Sequence, residues 1–117
     1  MPRAVKKRDR LRQIHNWLSE KYPTPFPTDL RCIKCKGDNG YASRVGRRLR
    51  ITLNISTPLY HLIDTLLHEY SHCVTWKHSS MERHTDMHSD EWGLQLAKMY
   101  RDFYDQGGDM ESREYGW

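Results

Sequence analysis

Residues 58–76 read PLYHLIDTLLHEYSHCVTW, and the periodicity of this stretch decides the fold. At about 100° per residue, Leu59, Leu62, Ile63, Leu66, Leu67, Tyr70, Cys73 and Val74 share one arc of a helix. His68 and His72 fall on the opposite side. An apolar arc of that width must lie against another layer of the protein. Pro58 suits a first helical turn, and Ser56 and Thr57 are candidate caps just before it. The spacing therefore predicts a helix from about residue 58 to about residue 76.

The layer that receives it lies upstream. DLRCIKC, GYASRV and RLRITLN, within residues 29–54, are short runs separated by KGDN and GR, the pattern of hairpin-linked strands. They predict a small three-stranded antiparallel sheet. Before them, Pro23, Pro25 and Pro27 forbid helix and make 22–28 an extended connector. Residues 3–21 read as a basic helix, with Ala4, Leu11, Ile14, Trp17 and Leu18 near helical spacing and Lys6, Lys7, Arg8, Arg10 and Arg12 between them. Downstream, Trp92, Leu96, Met99 and Phe103 form the stripe of a last helix over about 89–105, and that stripe extrapolates back through His88. Residues 106–117 read as a tail. The expected fold is α+β: an N-terminal helix, a sheet, a helix packed on it and a C-terminal helix.

The chain has 117 residues, enough for a single domain. Its apolar share of 37% is low, and four Trp and seven Tyr must supply part of the burial. The sequence has no apolar run of membrane-spanning length and no secretory h-region, which predicts an intracellular protein, cytoplasmic or nucleoid-associated and not secreted. Three cysteines, Cys32, Cys35 and Cys73, are too few and too odd for a disulfide framework. Charge is asymmetric: residues 1–50 hold 14 Lys and Arg against 4 Asp and Glu, whereas 51–117 hold 5 against 11. The basic half permits contact with a polyanion, and equally a solvated helix and charged strand edges.

His68-Glu69-Tyr70-Ser71-His72 is an H-E-x-x-H motif. One helical turn separates the two imidazoles, so they can grip a single Zn²⁺, and the intervening Glu is near enough to take a proton from water on the metal. The third ligand must come from an element packed beside this helix. His88, on the stripe of the last helix, is the best placed candidate, and His84 is the second. Asp90 and Glu91 point off the stripe and suit a first helical turn. Three protein ligands would leave the fourth position open, as in a catalytic zinc site.

The composite RITLN…LIDTLLHEYSH…HSDEW resembles the SprT-like zinc metallopeptidases, the family that includes the Spartan proteases of DNA–protein crosslink repair. Leu53-Asn54 matches the family's strand end, Thr65-Leu66-Leu67-His68-Glu69-Tyr70-Ser71-His72 its motif helix, and His88-Ser89-Asp90-Glu91-Trp92 its third-ligand segment. Ser89 stands where Gly is usual and Trp92 where Phe is, and no zinc-ribbon cysteines follow. The resemblance covers about residues 29–105. It implies a minimal zincin-like catalytic core that hydrolyses peptide bonds, with one zinc held by His68, His72 and His88 and Glu69 as general base. It also implies DNA-associated protein or peptide substrates, with DNA as the polyanion that the basic half would contact.

Tyr100 and His84 are candidate donors to the oxyanion of such a reaction, and Asp64, one turn before His68, is a candidate to orient a ligating imidazole. Cys32 and Cys35 make half of a structural zinc site without a second half. Cys73 reads as a core residue. The rival reading is a non-catalytic, zinc-stabilised nucleic-acid-binding module, in which Glu69 has no task.

Overall fold

A computed structural model of the chain describes residues 3–37, 39–76 and 89–105. The tail 106–117 and the candidate ligands His84 and His88 lie outside the described residues. The elements follow the order α1 (Arg3–Lys21), β1 (Thr28–Ile33), β2 (Gly40–Val45), β3 (Arg48–Asn54), α2 (Leu59–Val74) and α3 (Asp90–Asp105). The architecture is α+β, and no described helix is long and apolar enough to cross a membrane.

The sheet is mixed, which corrects the antiparallel expectation. Its order is β1-β3-β2: β2 and β3 form the expected antiparallel hairpin, but β1 runs parallel to β3. The hairpin turns at Gly46-Arg47, and Gly46 takes φ +62°, a conformation that a Cβ disfavours. β3 carries Leu49, Ile51 and Leu53, all fully buried, and so occupies the centre. The segment leaving β1 must then pass the end of β3 to reach the far edge. Asn54 holds that crossing, donating from Nδ2 to Cys35 O at 2.8 Å, while Ile55 N donates to Ile33 O at 2.7 Å.

One face of the sheet receives the helices. Leu49, Ile51 and Leu53 point to it, meeting Leu59, Leu62, Ile63, Leu66, Leu67 and Tyr70 of α2 in one core. α1 adds Leu11, Ile14 and Leu18, and α3 adds Met99 and Phe103. Trp17 and Leu96 from the expected stripes are partly buried against this core. The basic helix is not wholly a solvated one. Lys7 Nζ donates to Ile55 O (2.8 Å) and Thr57 O (2.9 Å), fixing the chain just before α2, and Arg10 is buried with its guanidinium over the Phe103 ring.

His15 ties α1 to the sheet: it is buried and shares a hydrogen bond of 2.9 Å between Nε2 and Thr28 Oγ1. Burial lowers its pKa below the usual 6.5, against the opposing pull of Asp29. The unfolded chain then binds a proton that the folded chain resists, so this contribution is complete above about pH 6.5 and is lost as pH falls. Urea melts at pH 7 and pH 5 should show a smaller acid loss of stability in His15→Gln than in the wild-type protein.

Candidate metal centre

α2 carries both motif histidines in its last two turns, and their ring centres lie 5.1 Å apart at an interplanar angle of 66°. Two imidazoles sharing one tetrahedral zinc at about 2.0–2.1 Å per nitrogen have ring centres about 5 Å apart, so the pair fits that ion. Among the described residues no group of three or more His, Cys, Asp or Glu side chains comes together around a common point.

The sequence puts His72 on the polar side of α2, yet it is only 4% exposed. The cover is the first turn of α3. Ser89 accepts from Trp92 N at 3.2 Å through Oγ and so caps the helix. Ser71 Oγ donates to Trp92 O at 3.0 Å and joins that turn to α2. The Trp92 indole then stacks on His72 at 5.2 Å and 26° and meets His68 edge-on at 4.9 Å and 68°.

Glu69 projects toward β2, where the backbone of Ala42 reaches its carboxylate. Its side chain is 14% exposed and Oε2 lies 3.7 Å from His68 Nε2. Burial pushes its pKa up to about 7, against the opposing Ala42 hydrogen bond, so the group can both take and release a proton near neutrality. Cys73, one turn along the same helix, is buried with its thiol pKa pushed up by burial and by Glu69, and serves the core as expected.

A cleft of about 300 Å³ opens beside His68 and Glu69, lined also by Asn39, Gly40, Asp64, Thr65 and Tyr100. Tyr100, a candidate oxyanion donor, is thus on the cleft wall, and its pKa rises to about 12 through burial and the nearby Asp64. The phenol keeps its proton. Asp64 accepts from Tyr104 OH at 3.0 Å, and the Tyr100 and Tyr104 rings stack at 5.8 Å. This places Asp64 among the tyrosines of α3. Cys32 is half-buried and Cys35 exposed, both as free thiols.

Asn39, Gly40 and Thr65 as cleft residues, and Trp92 as a partner of both imidazoles, were not legible in the sequence. Gly40 marks a close approach, and an isolated glycine at a strand end is the signal that could have found it. No protein-family model, curated protein or solved structure matches this chain.

A Cβ on Gly40 would stand 2.8 Å from both Leu53 Cδ2 and Thr52 O and 2.9 Å from Thr65 Cγ2. Gly40→Ala should therefore force α2 away from the sheet, costing about 1–3 kcal/mol in a denaturant melt. A variant as stable as the wild-type protein would show that the contact relaxes freely.

Proposed function

We propose that this protein is a zinc-dependent metallopeptidase in which His68, His72 and His88 hold the metal and Glu69 is the general base. The observation that carries the reading is the pair of imidazoles at tetrahedral spacing beside a largely buried carboxylate, with His68 and Glu69 opening onto one cleft. His88 is proposed as third ligand because α3 begins against this pair, with Ser89 as its cap and Trp92 on both rings. Zinc, when bound, supplies Lewis-acid polarisation of a peptide carbonyl and brings the ionisation of water near neutrality. Glu69 takes the proton of the attacking water and passes it to the departing amine. Tyr100, protonated on the cleft wall, donates to the oxygen of the scissile carbonyl as charge develops there.

The expected metal content of purified protein is one zinc per chain, lost in His68→Ala, His72→Ala and His88→Ala. Chelation should lower the thermal midpoint, since metal binding stabilises the folded chain alone. Glu69→Gln should keep zinc and fold while losing about 10²–10⁴-fold in peptidase turnover. If the zinc instead stabilises a nucleic-acid-binding module, Glu69→Gln and the wild-type protein would be alike in every assay.

The sheet's other face supports DNA as a partner. Arg31, Arg48 and Arg50 share this face with Asp29 and Tyr41: Arg48 pairs with Asp29 at 2.6 Å, and Arg31 Nη2 donates to Tyr41 OH at 3.4 Å. Among the described residues no helix covers it. Arg31, Arg48 and Arg50 therefore lie across the sheet from α2. DNA affinity of Arg31→Ala/Arg50→Ala, read by fluorescence anisotropy, should fall for all sequences alike, with a log–log salt slope shallower by about 0.7–0.9 for each phosphate that is no longer neutralised. Unchanged affinity in that variant would remove the sheet face from the proposal.

A further inference from the structure

We infer that Trp92 is a positioning residue for the metal, holding the His68 and His72 rings in the orientation that zinc needs; the inference rests on the metal reading above. Its indole touches both imidazoles, stacked on His72 at 26° and edge-on to His68 at 68°, the two rings themselves standing at 66°. One rigid ring thus sets the torsion of two others. Trp92 Nε1 also faces His68 O at 3.4 Å, and its own backbone is held at both ends, the N–H by Ser89 Oγ and the carbonyl by Ser71 Oγ. The indole is therefore anchored to the same helical turn that carries the ligands.

Two physical consequences follow from that placement. A free histidine side chain samples several rotamers and must lose them on metal binding, whereas rings already packed against an indole lose fewer. A metal-bound imidazole is also electron-poor, so its attraction to the face of an indole is greater than that of a neutral ring. Both effects favour the loaded state over the empty one.

The test is zinc affinity by competition with a chromophoric chelator, together with the melting temperature of the metal-free protein. Trp92→Leu keeps apolar bulk but removes the ring, and should weaken zinc by about 10–100-fold, the usual effect of losing a group that orients a metal ligand. Trp92→Phe should recover most of that loss. Adding zinc should change the tryptophan emission of the wild-type protein and leave that of Trp92→Phe almost unaltered. If Trp92 only fills space, Trp92→Leu will melt lower when metal-free and bind zinc as tightly as the wild-type protein, which overturns the inference. A wild-type protein that binds no zinc overturns instead the metal reading on which it rests.

Discussion

The packing of the first turn of α3 against the last turns of α2 is the contact on which the candidate site depends. Without it, His72 would face solvent, as the periodicity of α2 alone has it. Ser71 Oγ to Trp92 O, Ser89 Oγ to Trp92 N and the indole on two imidazoles all belong to this one junction. A histidine pair on an exposed helix face would be flexible and hydrated. Here one member is buried and the other half-buried, and their rings stand at a fixed mutual angle.

The second constraint is the closeness of α2 to the edge of the sheet at β2. Gly40 allows it, because any side chain there would strike Thr65 and the backbone of β3. The approach carries Glu69 under Ala42 and largely out of water, which raises its pKa toward the range where a base is effective. The same approach forms one wall of the cleft, and α3 supplies another through Tyr100. Burial of a carboxylate opposes stability, so its place beside the histidines fits a chemical role better than a packing one.

Local patterns in the sequence carried the element inventory and failed at pairing. α1 spans the residues its periodicity marks, α2 differs from its expected limits by one residue at its start and two at its end, and α3 differs by one residue at its start only. β1 was legible as a strand, but its partner was not. Hairpin logic places consecutive strands side by side, whereas the apolar run Leu49, Ile51 and Leu53 gains most by sitting between two neighbours. That preference acts across the whole sheet and leaves no mark on the KGDN segment between β1 and β2. Likewise Lys7 and Arg10 read as members of a solvated basic face, because nothing near them in sequence shows the carbonyls of Ile55 and Thr57 or the ring of Phe103.

The site was legible to the extent that its chemistry is local. His68, Glu69 and His72 lie within one helical turn, so their spacing suffices to place them together. Tyr100 and Asp64 come from separate helices and could only be nominated; the structure brings both to the cleft wall, where Asp64 receives the hydroxyl of Tyr104. Trp92 illustrates the same limit from the other side. Its spacing with Leu96, Met99 and Phe103 made it one more apolar residue of a stripe, yet Met99 and Phe103 are fully enclosed and Trp92 is not. The first residue of the stripe meets the two imidazoles where the others meet the core. An amphipathic period identifies which residues face inward, and it is silent on whether the inside at that level is core or site.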